Sequence, residues 1–134
     1  MTVMRSVFYV PGNNEKMVGK APEITADLLT LDLEDSVPPA EKPKAREMIR
    51  EYLKTQREKQ FSPSLYVRIN NWETQMTNDD LEAIVYPGLD GVCLAKCGSA
   101  ENVQRLDWKL EALEQSRGME TGSVSIQLLI ETAK

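Results

Sequence analysis

Short apolar runs alternate along this chain with longer stretches in which apolar residues recur every three or four positions. Runs of the first kind have the length of β-strands, and the wider spacing is typical of helices with one buried face. The predicted strands are 6–10, 27–33, 64–69, 91–94 and 123–130. The predicted helices are 14–21, 40–54, 78–85 and 100–114, and Asn78 is expected to cap the third of them.

The regular alternation of strands and helices predicts the α/β class. Consecutive strands are expected to run parallel, joined by right-handed βαβ crossovers. No tract rich in Gly or Ser divides the 134 residues, which are therefore predicted to form one domain. No helix is predicted after the strand at 123–130, so we expect part of the sheet to lack a cover and interpret the domain as incomplete.

Composition restricts the classes of partner. The chain is 41% hydrophobic and 28% charged, as in globular domains, and its net charge of -5 disfavours binding to a nucleic-acid backbone. No apolar run approaches the roughly 20 residues of a membrane span, and no secretory segment is recognisable. We therefore expect neither nucleic acid nor a membrane as a partner, and a cytoplasmic location.

The chain contains no histidine, so any catalysis would use carboxylates, lysine, arginine or a metal. Its two cysteines, Cys93 and Cys97, lie in and just after a predicted strand. A redox or metal-binding pair is one interpretation. Two small buried residues are the favoured one, because a second pair of cysteines is lacking and the spacing suits a disulfide poorly.

Charged residues occur where predicted strands end. Asp32, Glu34 and Asp35 accompany the end of the second strand, Arg68 the third and Glu131 the fifth. The carboxyl ends of parallel strands form the ligand-binding edge of such sheets. Carboxylates suit Mg²⁺, and an arginine would bind a substrate carboxylate. For each residue alone a solvated ion pair is an equally good interpretation, but their repetition favours a site.

Two further segments allow a functional and a simpler interpretation. The turn after the first strand leads into a helix start that is able to hold a phosphate beside Lys16 and Lys20, although solvated lysines after a Pro-Gly turn are commonplace. Lys96 ends the fourth strand and could form a Schiff base, but an ion pair at the rim of the sheet is the favoured interpretation.

Several short motifs, in this order, resemble the citrate lyase β-subunit-like proteins of the HpcH/HpaI aldolase family, whose relatives include malyl-CoA and citramalyl-CoA lyases. The motifs are FYVPGN at 8–13, LDLEDSV at 31–37, KPKAR at 42–46, VRIN at 67–70, LAK at 94–96 and LIETA at 129–133. The resemblance extends over nearly the whole chain.

The resemblance implies a (β/α)₈ TIM barrel, of which residues 1–134 would form an N-terminal part with about five βα units. It also implies a Mg²⁺-dependent carbon-carbon lyase that acts on the CoA thioester of a hydroxy acid, such as malyl-, citramalyl- or citryl-CoA. An acyl-CoA and a small oxo acid would be its substrates, and the completed barrel would be a homo-oligomer. The acyl group, the oxo acid and the choice between lyase, synthase and thioesterase chemistry are left open.

The matching motif positions carry the family's residue roles. Glu131 resembles the first metal ligand, Arg68 the clamp for the oxo-acid carboxylate, and Glu34 and Asp35 the acids that contact the metal through water. The residues that resemble the CoA-binding edge are Tyr9, Pro11, Gly12, Asn13, Lys16 and Lys20.

Two features differ from the family pattern. The chain reads Leu94-Ala95-Lys96-Cys97 where the family usually has Leu-Pro-Lys and an acidic residue, and the 134 residues do not contain the Gly-Glu-Asp motif of the second metal ligand. Without the second metal ligand we expect this chain by itself to be inactive. Because the sheet edge at 123–130 is predicted to lack a cover, we also expect self-association or a loose, partly ordered state. The alternative hypothesis is a non-catalytic subunit or interaction module derived from the same fold.

Overall fold

A computed structural model describes residues 3–56 and 63–133, in which five strands form one parallel sheet in the order β1-β2-β3-β4-β5. The strands are β1 (Val7–Pro11), β2 (Leu28–Asp32), β3 (Ser64–Ile69), β4 (Gly91–Leu94) and β5 (Ser125–Leu128). The helices are α1 (Glu15–Lys20), α2 (Lys42–Gln56), α3 (Thr77–Ile84) and α4 (Ala100–Ser116), with 3₁₀ turns at Ala21–Glu23, Pro39–Glu41 and Trp72–Thr74. Each strand pairs with the next one in sequence, as in a (β/α)₈ barrel and unlike a doubly wound sheet. The predicted α/β class and the partial barrel are confirmed.

One face of the sheet packs against the helices and forms the hydrophobic core. Alternate strand residues such as Leu31, Val67 and Val92 point to this face and are fully buried. The helices cover them with apolar residues spaced three or four apart, which include Ile49 of α2 and Leu106 of α4. We call this the helix face.

A buried ion pair ties the elements of the helix face together. Arg46 of α2 donates from Nε to Oδ1 of Asp80 in α3 at 2.8 Å. The other oxygen of Asp80 accepts from the backbone N and from Nδ2 of Asn70 at 2.9 and 2.7 Å. Asn70 directly follows β3, so this pair locks two helices to the end of one strand.

The remaining strand residues alternate onto the opposite side, which we call the inner face by analogy with a barrel interior. Its row nearest the carboxyl ends consists of Asp32, Arg68, Cys93 and Gln127, which are aligned by the strand register. Two oxygen atoms of this face, Thr30 Oγ1 and Gln127 Oε1, are buried without a hydrogen bond to any of the described residues. The inner face is therefore polar where the helix face is apolar.

Two predicted features of the elements were wrong. The fifth strand, Ser125–Leu128, is shorter than 123–130. It begins later because the amide of Val124 donates to the buried carboxylate of Glu114. The third helix begins at Thr77, whose hydroxyl donates to the carbonyl of Asn70 at 2.9 Å, so Asn78 lies inside the first turn and is not its cap.

Cys93 and Cys97 are both free and buried, as the favoured interpretation predicted. Across the part of the chain that the structure describes, none of the helices combines the length and apolarity that a membrane crossing requires.

Candidate active site

The carboxyl ends of β2 and β3 are joined by a bidentate ion pair on the inner face. Asp32 and Arg68 are direct neighbours in the strand register. Arg68 donates from Nε to Oδ1 and from Nη2 to Oδ2 of Asp32, both at 2.7 Å. Burial raises the pKa of Asp32, but hydrogen bonds from Arg68, Ser36 and the amide of Glu34 more than offset this and bring it to about 2. Asp32 is therefore ionised at any physiological pH, and the pair is a charged one.

The same aspartate also shapes the turn that follows β2. Its Oδ1 accepts from the backbone N of Glu34 at 2.9 Å, and its Oδ2 accepts from the backbone N and Oγ of Ser36 at 3.0 and 2.5 Å. Side-chain acceptance of this kind is typical of Asp in tight turns. The turn places Glu34 and Asp35 beside the ion pair, so we call residues 34–36 the acidic turn.

Tyr9 of β1 lies against the other side of the arginine. The guanidinium carbon of Arg68 is 5.0 Å from the centroid of the Tyr9 ring, within the range of a cation–π interaction. Among residues 3–56 and 63–133, Nη1 of Arg68 forms no hydrogen bond. Arg68 is thus fixed by two neighbours and keeps one edge available to a ligand.

Lys96 draws the acidic turn towards the end of β4. Its Nζ lies 3.3 Å from Oε1 of Glu34 and 3.1 Å from Oδ1 of Asp35. The hydrogen bond that Lys96 donates to Asp35, and next its interaction with Glu34, raise the pKa of Lys96, which is the opposite of the lowered pKa that a Schiff-base lysine requires. The structure gives Lys96 the role of an ion-pair residue at the rim.

Glu131 reaches the same place from the segment after β5. Its Oε1 accepts a hydrogen bond from the backbone N of Lys96 at 3.1 Å. Lys96 has a positive φ of 50°, a conformation that few residues other than glycine adopt. The backbone of Lys96 thus contacts Glu131, while its side chain contacts Glu34 and Asp35.

The oxygen atoms of this edge suit a divalent cation. Burial, and next the neighbouring Asp35, raise the pKa of Glu34 to about 6. Within the described residues its buried Oε1 accepts no hydrogen bond of good geometry, and Nζ of Lys96 at 3.3 Å is its ion-pair partner. A cation would offset both effects, and carboxylate oxygens are the protein ligands that Mg²⁺ prefers. Among the described residues, no three Asp, Glu or Cys side chains converge closely enough to hold a metal. Magnesium commonly uses only one or two protein carboxylates, so the residues present fit it.

A buried lysine of α2 holds the backbone at the start of the acidic turn. Nζ of Lys42, at the start of α2, donates to the carbonyls of Leu33 and Glu34 at 2.6 and 2.9 Å. Burial lowers the pKa of Lys42. Lys42, Lys96 and Glu34 line a cavity of about 350 Å³ at the ends of β2 and β3. The sequence motif contains Lys42, but nothing in it indicates that the lysine would hold backbone carbonyls.

The residues predicted to form a CoA-binding edge lie in β1, in α1 and in the turn between them. Asn13 and Lys16 line an open cavity of about 640 Å³ together with Lys44, whereas Lys20 is not among its lining residues. Gly12 is buried, and a Cβ there would lie 2.6 Å from the carbonyl O of Asp32, so its place in the fold requires glycine. Pro11 ends β1, and Tyr9 contacts Arg68 as described above.

Comparison with known proteins supplies the context for this geometry. A model of the HpcH/HpaI aldolase/citrate lyase family matches residues 5–134. The chain is 36% identical over 129 residues to the citrate lyase subunit beta of Leuconostoc mesenteroides subsp. cremoris, covering 96% of this chain and 42% of the relative. It is 31% identical over 132 residues to the L-malyl-CoA/beta-methylmalyl-CoA lyase of Rhodobacter capsulatus, covering 96% and 41%.

A solved relative agrees with the fold. The citrate lyase beta subunit of M. tuberculosis, complexed with oxaloacetate and magnesium, superposes with a TM-score of 0.69 at 29% identity, covering 95% of this chain and 47% of the other. The chain thus spans less than half the length of the relatives that it matches.

Proposed function

The chain belongs to the HpcH/HpaI aldolase/citrate lyase family, and from that premise we propose that it forms part of the active site of a Mg²⁺-dependent carbon-carbon lyase. Its substrate would be the CoA thioester of a hydroxy acid, such as malyl-, citramalyl- or citryl-CoA. One observation carries the proposal. Arg68 is held by Asp32 and Tyr9 with Nη1 uncommitted, next to a turn of carboxylates that suits a divalent cation.

Arg68 would bind the carboxylate of the oxo-acid product. Its Nε and one Nη2 hydrogen are committed to Asp32, so the edge formed by Nη1 and the second Nη2 hydrogen is left for a ligand. Two parallel N–H groups at that edge match the two oxygens of a carboxylate. A substrate held in this way would present its oxo or hydroxy oxygen in a single direction.

Glu131 would hold Mg²⁺ directly, while Glu34 and Asp35 would contact it through water. When bound, the metal would act as a Lewis acid that polarises the oxygen of the oxo acid. The protonated Lys96 offsets part of the negative charge of Glu34 and Asp35, and the Glu131 carboxylate stays next to the bend at Lys96 through its backbone hydrogen bond. Magnesium in the complex of the M. tuberculosis relative supports this choice of metal.

The CoA moiety would lie along the β1–α1 turn. The open cavity of about 640 Å³ is lined by Lys16 and Lys44, which could pair with phosphate groups, and also by the carboxylates of Glu15 and Glu41. Lys20 would add charge one helical turn further along.

We also propose that residues 1–134 act as one partial barrel domain, that the protein is a homo-oligomer and that it is cytoplasmic.

The proposal is tested by assaying the full-length protein against malyl-, citramalyl- and citryl-CoA, with release of the oxo acid as the signal. Mg²⁺-dependent cleavage of at least one thioester is expected. Release of free CoA with the hydroxy acid intact would indicate a thioesterase. The absence of turnover with every thioester would favour the non-catalytic module instead.

The metal assignment has its own test. Glu131→Gln in the full-length protein should lower the apparent Mg²⁺ affinity about 100-fold or more, because a neutral amide replaces a charged ligand, whereas Asp35→Asn should cost about 10- to 100-fold. Glu120→Gln makes the same chemical change at an exposed position between α4 and β5 and serves as the control. Equal Mg²⁺ titrations for Glu131→Gln and Glu120→Gln would remove Glu131 from the metal site.

A further inference from the structure

We propose that Asp32 is a positioning residue that sets the direction in which Arg68 presents its free edge and, through the same carboxylate, the conformation of the acidic turn. This inference rests on the proposed function, because it assumes that Arg68 binds a substrate carboxylate. It assigns a role to a side chain that would touch neither substrate nor metal.

The geometry of the ion pair supports the first half of the proposal. A single hydrogen bond would let the guanidinium rotate, but contacts from Nε and Nη2 at 2.7 Å each define its plane and its direction. Tyr9 lies 5.0 Å from the guanidinium carbon and restrains it out of that plane. The edge that contains Nη1 is therefore the part of Arg68 that a ligand can approach.

The hydrogen bonds of Asp32 to the turn support the second half. Five donors converge on this carboxylate, two from Arg68 and three from the acidic turn. Asp32 is only 1% exposed, so no water replaces a lost donor at low cost. A displacement of Asp32 would thus move the arginine and the acidic turn together.

If Asp32 positions Arg68, the effects of substituting Asp32 and Arg68 on ligand affinity should be coupled. If Asp32 acted only on stability, its loss would weaken the whole domain and leave ligand geometry unchanged in the folded molecules. If it positions Arg68, its loss must reduce the affinity for an oxo acid, and that reduction must disappear when Arg68 can no longer form a bidentate contact.

The test is a double-mutant cycle in the full-length protein, with pyruvate as the probe and binding measured by calorimetry in the presence of Mg²⁺. Arg68→Lys should lower pyruvate affinity about 10- to 150-fold. Asp32→Asn should lower it about tenfold in the wild-type background and have little further effect in the Arg68→Lys background. Asp80→Asn breaks the other buried Asp–Arg pair and should reduce stability while leaving pyruvate affinity unchanged.

The outcomes separate the two levels of the proposal. Unchanged pyruvate affinity in Arg68→Lys would overturn the assigned function of Arg68. A loss in Arg68→Lys combined with no loss in Asp32→Asn, or with equal losses in both backgrounds, would overturn the role of Asp32 alone. If Asp32→Asn does not fold, Ser36→Ala removes just the hydroxyl bond to Asp32 and should lower pyruvate affinity about two- to fivefold, and unchanged affinity there would contradict the proposal.

Discussion

Within the described residues, each face of the sheet carries one buried Asp–Arg pair, and the two pairs differ in what they do. On the helix face, Arg46 makes one 2.8 Å contact with Asp80, whose other oxygen is used by Asn70. On the inner face, Arg68 makes two contacts of 2.7 Å with Asp32. The side chains of the two arginines are 14% and 17% exposed, so burial does not distinguish them. The partners distinguish them, because Asp80 joins Arg46 to Asn70, whereas Asp32 joins Arg68 to the acidic turn.

The pKa values of the two aspartates are shifted in opposite directions, although burial raises both. Burial raises the pKa of Asp80, and its hydrogen bonds from Asn70 and Arg46 do not bring it back to the ordinary value. Asp32 has a pKa of about 2, because the bidentate arginine and the acidic turn outweigh the same cost. A buried ion pair by itself is thus poor evidence of function. A buried carboxylate that several donors keep ionised is better evidence of a functional site.

The largest difference between the two pairs is expected when the same conservative substitution is made at each arginine. Arg68→Lys in the full-length protein should reduce kcat/KM about 10- to 150-fold, because an ammonium cannot reproduce a bidentate contact. This factor corresponds to a loss of roughly 1.5 to 3 kcal/mol of transition-state binding. Arg46→Lys makes the identical change on the helix face. It should lower the unfolding midpoint and leave kcat/KM unchanged, as measured with the best CoA thioester. Equal losses of kcat/KM in the two variants would show that the inner-face pair has no special role.

Much of the helix face was predictable, because its signal is local. The period of apolar residues identified the helices that contribute Ile49 and Leu106, and apolar runs identified all five strands. Charged residues at strand ends likewise indicated where a site would form, since the carboxyl ends of parallel strands share one edge.

The pairings within the site were not predictable from the same information. Asp32 meets Arg68 because β2 and β3 pair in one particular register, and a slip of one residue would point the two side chains to opposite faces. Lys96 reaches Glu34 and Asp35 only because the chain bends at a positive φ after β4. Such contacts depend on tertiary packing, and the sequence carries no periodic signal for them.

A second prediction uses pH to separate the pairs. The folded pKa of Asp32, about 2, lies below its ordinary value of 3.8, so the pair contributes about 2 kcal/mol above pH 4 that is lost as pH falls towards 2. The pKa of Asp80 is shifted in the opposite direction, upwards. Its contribution to stability is therefore present below the ordinary pKa of an aspartate and is lost as pH rises through the folded pKa.

Urea unfolding of the full-length protein between about pH 2 and pH 7 measures both contributions. The stability difference between wild type and Asp32→Asn should grow as pH rises from about 2 to 4. The difference between wild type and Asp80→Asn should shrink as pH rises above about 4. If both differences stay constant with pH, the two carboxylates do not differ in the folded state as described.

The smallest expected effect concerns the aromatic rings, since each face also stacks arginine on tyrosine. Tyr9 supports Arg68 at 5.0 Å, while Tyr86 on the helix side has Arg50 and Arg117 at 5.1 and 4.1 Å. A cation–π contact at a partly exposed site is worth about 0.5 to 1 kcal/mol, or roughly two- to fivefold. Tyr9→Leu should therefore raise the KM of the oxo acid by about that factor, whereas Tyr86→Leu should affect stability alone.

This last experiment also decides between two roles for Tyr9, because the family resemblance places it on the CoA-binding edge and the structure stacks it on Arg68. Kinetics in the condensation direction separate the roles, since the acyl-CoA and the oxo acid then have independent KM values. Tyr9→Phe keeps the ring beneath the guanidinium and should leave both KM values unchanged. If Tyr9→Leu raises only the KM of the acyl-CoA, the ring serves the thioester and Asp32 restrains Arg68 without it. If it raises only the KM of the oxo acid, Tyr9 belongs with Asp32 and Arg68 to one arrangement on the inner face.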